Sequence, residues 1–104
     1  MDIEIATAAQ ALQELGARLK RQRLGQNLLQ DEVAQRAGIS VGALKRLEAG
    51  DDVRMLTMLN VVRCLGVAGD LQEIFQWKAP MTLADLERQD ESGKRSRARK
   101  SRAT

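Results

Sequence analysis

A chain of 104 residues with one cysteine and no histidine can bury one small core, and it excludes an intrachain disulfide and a Cys/His zinc centre. No apolar run approaches the ~20 residues that span a bilayer, so no membrane association is expected; the acidic opening "MDIEIATAAQ" lacks the basic start of a signal peptide, so a cytoplasmic protein is expected. The net charge of +3 is unevenly placed: residues 94–104, "KRSRARKSRAT", carry six Lys/Arg and no acid, leaving 11 bases against 14 acids in residues 1–93.

Along the chain, apolar residues recur at three and four, and nothing alternates with period two, so the fold is expected to be all-α. Leu12, Leu15, Leu19 and, less regularly, Leu24 predict a first helix over roughly 8–24, stopped by Gly25. Val33, Ala34 and Ala37 mark a short second helix ending at Gly38. Ser40 is placed to cap a third helix, which carries Leu44 and Leu47 and ends at Gly50. Leu56, Leu59, Val62 and Leu65 predict a fourth, with Cys64 packed in it as a small hydrophobe. A shorter fifth helix, capped by Asp70, would use Leu71, Ile74 and Phe75. Residues 1–7 read as a flexible start, 8–78 as the helical domain, and 79–104 as a polar, basic tail, whose run 94–104 has no apolar residues beyond two alanines and reads as disordered.

The stretch "QDEVAQRAGISVGALKRLEAG", residues 30–50, meets the demands of a helix-turn-helix. Two helices that cross steeply need a small residue where they touch, and Ala34 supplies it. The turn needs positive φ, which Gly38 takes without a Cβ clash. Ile39 plugs the turn from below, and Val33, Leu44 and Leu47 hold both helices to the core. The bland alternative is a helical hairpin with no DNA role.

Through "LGARLKRQRLGQNLLQDEVAQRAGIS", "RLEAG" and "MLTMLNVVRCLGV", residues 12–75 resemble the lambda-repressor/Cro-like, or XRE-type, DNA-binding domains. The resemblance implies a five-helix lambda-repressor-like fold with the third helix (about 40–49) in the major groove of double-stranded DNA. It places Gln30 on the DNA backbone and pairs Arg23 with Glu48 as a structural ion pair. It brings Ser40, Val41, Gly42, Lys45 and Arg46 to the bases. Val41 offers only apolar contact, and Gly42 and Ala43 let the backbone approach. Polar readout falls to Lys45 and Arg46, which suit guanine O6 and N7; Arg46 is the expected base reader, with Lys45 open between base and phosphate. Arg18, Lys20 and Arg21 form a basic run, either a solvated face or a phosphate contact. The chain departs from the family pattern at Leu29, where Ser or Thr usually caps helix 2, at Ala49, and at Asp51 and Asp52, whose charges repel phosphate.

One such module offers few base contacts, so a homodimer on a near-palindromic operator is expected, acting as a repressor. Phe75 and Trp77 are the aromatic residues of the chain. They either close the edge of the core or anchor a dimer or partner contact. The layout also resembles the antitoxin repressors encoded beside Hip-type kinase toxins, which implies repression of their own operon and a kinase-toxin partner. The competing reading is a protein-interaction module, a toxin-neutralising antitoxin or assembly subunit, with weak or no operator binding; Val41-Gly42-Ala43 and Asp51-Asp52 favour it. No cofactor or metal site is expected, and nothing in the residues supports an enzyme.

Overall fold

The structure is a computed structural model, and it describes residues 2–80 and 82–88. All regular elements among them are helical. The chain divides into two units, residues 1–72 and 73–104.

In the first unit, one 3-10 turn at Ile3–Ile5 is capped by the Asp2 carboxylate. Helix α1 (Ala8–Gly25) opens on a capping box. The Thr7 hydroxyl accepts from the Gln10 N–H, and the Gln10 side chain accepts from the Thr7 N–H. Helix α2 (Gln30–Ala37) starts on Leu29, which offers no side-chain cap. The Glu32 carboxylate accepts from the Leu29 N–H at 2.9 Å, so the missing Ser or Thr is only half replaced. Helix α3 (Val41–Ala49) begins where the Ser40 hydroxyl accepts from the Ala43 N–H at 3.0 Å. Helix α4 (Met55–Cys64) follows. Gly38 and Gly50, at φ 71° and 84°, terminate α2 and α3 in the left-handed region.

The core is a single cluster of Leu19, Val33, Ala34, Leu44, Leu47, Val61, Val62 and Leu65. Burying a leucine or valine contributes roughly 1.5–3 kcal/mol, so these few side chains dominate the apolar stabilisation of the unit. The expected leucine stripes reach this core only in part. Leu12, Leu15 and Leu59 are half-buried, while Leu24 and Leu56 are exposed. On α1 the position one turn after Leu19 is 23, so Arg23 rather than Leu24 points inward.

The fifth helix differs from expectation. The α4 end is closed by Gly66 at φ 77°, with the Val67 N–H donating to the Val62 carbonyl. A 3-10 helix, Ala68–Glu73, follows at once, and the Asp70 N–H is spent on the Val67 carbonyl. Val67 and Ala68 pack against the core ahead of Asp70 and Leu71 just after it, while Ile74 and Phe75 are exposed, so the apolar contacts fall beside and within the 3-10 run. Gly69 within the run further disfavours a regular α-helix.

In the second unit, Phe75 takes φ 56°, a conformation that stops a helix. Phe75 and Trp77 are 96% and 82% exposed. Residues 83–88 are helical and capped reciprocally by Thr82 and Asp85. The basic run 94–104 lies outside the described residues.

Candidate nucleic-acid interface

Helix α3 sorts its residues by direction. Leu44 and Leu47 are fully buried and fix its inner side. Gly42, Lys45, Arg46 and Ala49 are exposed. At 3.6 residues per turn these four fall within an arc of roughly 100° on the outer side. Among the described residues neither Lys45 nor Arg46 has an acidic partner. Both cations are therefore free for an external anion or acceptor. Val41 is half-buried and packs against the core, which leaves only part of its side chain for a ligand. The Ser40 oxygen is occupied as a helix cap, but its hydroxyl proton can still be donated.

The helix is held in this attitude by two devices. The first is close backbone packing of α1 on α3. A Cβ at Gly16 would overlap the Leu47 carbonyl oxygen, so only glycine permits the approach. Gly50 likewise packs on the Gln13 backbone, where its positive φ also excludes a side chain. The second is a polar network that joins three helices. Arg23 donates from Nε to Glu48 Oε2 at 2.7 Å and from Nη2 to Oε1 at 3.0 Å, a two-pronged pair. Its Nη1 donates to the Leu28 carbonyl at 3.0 Å, and Gln30 Nε2 donates to Glu48 Oε1 at 3.0 Å. The Arg23 and Glu48 side chains are only 8% and 5% exposed. Burial raises the Glu48 pKa, but hydrogen bonds from Arg23 and Gln30 and the charges of Arg23 and Lys20 outweigh it. The carboxyl is held below its ordinary value and stays ionised at neutral pH.

The structure thus brings Arg23, Glu48 and Gln30 together at the base of α3, while Ser40, Gly42, Lys45 and Arg46 stand on or beside its outer face. Gln30 keeps its carboxamide oxygen and one N–H for an external partner. Of the helix-α1 basic run, Arg18 and Arg21 share Glu14 at 3.2 and 3.7 Å, while Lys20 has no ion-pair partner within 4 Å among the described residues and adds its charge near Glu48. Asp51 and Asp52 are exposed after α3, followed by an exposed Arg54 at the start of α4, without an ion-pair partner among the described residues. Phe75 and Trp77 belong to the second unit.

One contributor escapes a reading of the sequence alone, Gly16, although it had a signal, since it lies between Leu12 and Leu19 on the inward stripe, where a glycine marks a close approach. No group of side chains suited to hold a metal ion occurs among the described residues, nor is any of their helices long and apolar enough to cross a membrane.

A family model described as a helix-turn-helix domain matches residues 14–73. No curated protein matches the chain.

Proposed function

Since this chain belongs to the helix-turn-helix domain family, we propose that it is a sequence-specific regulator of transcription that lays α3 in the major groove of double-stranded DNA. The observation that carries this reading is the outer face of α3. It holds two unpaired cations, Lys45 and Arg46, on a helix locked from behind by the Arg23–Glu48–Gln30 network. Arg46 serves as the base reader, Gln30 donates to phosphate, Ser40 faces the bases at the start of the helix, and Gly42 lets the helix backbone approach the base edges. Two copies on a near-palindromic operator would supply enough contacts for specificity, with half-sites about 10 bp apart, and a bound operator would block transcription. The test is selection of the full chain on random duplex DNA. Enrichment of a two-fold symmetric site supports the reading, and equal affinity for enriched and random sequences at all salt concentrations sinks it.

A second reading rests on Phe75 and Trp77, both large, aromatic and exposed. Exposed aromatics of this kind are the usual anchors of protein contacts. They suit a partner protein, such as a Hip-type kinase toxin, or a second copy of the chain. Trp77 is the one tryptophan, so its emission reports the contact directly. Sedimentation with Trp77→Ala tests the dimer: an unchanged monomer–dimer equilibrium removes Trp77 from the interface.

A further inference from the structure

Where α2 packs on α4, the surface holds a groove of about 310 Å³ lined by Arg36, Ala37, Asn60, Arg63 and Cys64. None of the lining residues is acidic. Arg63 has no ion-pair partner among the described residues. Arg36 reaches only Glu32, at 4.0 Å, the outer limit of an ion pair. Asn60 is half-buried, and its carboxamide makes no hydrogen bond among the described residues. Ala37 adds only a methyl group to the lining. The Cys64 thiol donates towards the Val33 carbonyl, 3.9 Å away.

Two cations along one groove repel each other unless an anion lies between them. A guanidinium offers a fork of N–H donors that matches the oxygens of a carboxylate or phosphate, and an uncommitted carboxamide adds a neutral donor beside them. Both arginines lie in the last turns of their helices, where they offset the partial negative charge of the carbonyl ends. That role explains the charges but not the volume between them, nor the idle Asn60. We propose that this groove is a binding site for a small oxyanion, a phosphate- or carboxylate-bearing molecule of a few heavy atoms. The volume lies at the lower end of the ~300–1,000 Å³ typical of small-molecule sites. Arg36 is six residues beyond Gln30, a rise of about 9 Å along α2, so the groove sits at the end of α2 that leads into the turn before α3, and neither Lys45 nor Arg46 lines it.

The experiment is a ¹H–¹⁵N NMR titration of the full chain at constant ionic strength. Inorganic phosphate is added in one arm, succinate in another and chloride as control. Saturable shifts are expected at the amides of Arg36, Ala37, Asn60, Arg63 and Cys64 in at least one oxyanion arm, and none with chloride. The arm that saturates assigns the class, phosphate or carboxylate. The R36Q/R63Q variant should bind at least about tenfold more weakly, because two charge-assisted donors are lost. R36K/R63K should keep part of the affinity, since it retains the charge but not the fork. R63Q alone, at an exposed and unpaired position, gives the same test if the double variant folds poorly. Non-saturating shifts overturn the proposal. So do shifts unchanged in R36Q/R63Q, or shifts centred on Lys45 and Arg46.

Discussion

Arg23→Ala probes the device that fixes α3. The substitution removes both prongs of the ion pair and the donor to the Leu28 carbonyl. Glu48 is left 5% exposed, with Gln30 as its one neutral hydrogen-bond donor among the described residues. Stranding one member of a buried pair costs about 3–5 kcal/mol. The lower end applies here, because Gln30 remains and Lys20 lies near enough to help hold the charge. Each kcal/mol shifts the melting point of a 60–100-residue domain by about 4–8 °C, so a fall of roughly 12–24 °C is expected. The double variant Arg23→Met with Glu48→Leu should recover much of it, since an apolar pair of similar volume needs no desolvated charge. Thermal melts by circular dichroism on the two singles and the double give the coupling energy. An Arg23→Ala melt within about 2 °C of the parent chain would refute the reasoning: at ~4–8 °C per kcal/mol, the pair would then be worth less than about half a kcal/mol.

Four further outcomes follow from particular contacts. The lowered Glu48 pKa means that the folded carboxyl holds its proton less tightly than the unfolded one. Its contribution is therefore complete above the ordinary carboxylate pKa of 4.5 and is lost as pH falls through the lower folded value. Urea melts between neutral pH and pH ~3 should show this loss, and Glu48→Gln should flatten it. Gly16→Ala should destabilise by about 1–3 kcal/mol, because its Cβ meets the Leu47 carbonyl; Gly25→Ala, with nothing within 4 Å, should be neutral or stabilise by up to about 1 kcal/mol. Equal melts for these two variants would show that the α1–α3 approach is not tight. Arg46→Ala should weaken binding to the selected operator by about 1–3 kcal/mol and relax one base position; equal losses on operator and random DNA would make Arg46 a phosphate contact. Deleting residues 94–104, with their six Lys/Arg, should lower non-specific DNA affinity and reduce the salt slope by as much as ~5 without reordering preferred sequences; identical slopes would assign the tail to a protein partner.

The sequence by itself determined the local events. Gly38 and Gly50 stop their helices because left-handed φ is open to glycine, and Ser40 starts α3 because its hydroxyl can take an early N–H. Ala34, Val33, Leu44 and Leu47 were legible as core because a period of 3.6 leaves each helix one inward stripe. That rule failed wherever a neighbouring element decided what faces inward. Leu56 satisfies the apolar pattern yet is exposed, and Val61, outside the fourth-helix stripe, is fully buried. Arg23 occupies an inward position because Glu48, 25 residues later, arrives opposite it; only packing could show that Gln30 joins them. The fifth helix is a 3-10 run rather than the helix its local pattern predicts, for a related reason. Local capping at Asp70 is worth about 1 kcal/mol, whereas seating Val67, Ala68 and Leu71 on the core is worth more and is achieved without Ile74 or Phe75. Periodicity and caps act over a few residues and are written in order along the chain. Which cations remain free, which are cancelled, and which end of α2 carries a groove depend on pairs far apart in sequence, and those are set when the helices pack.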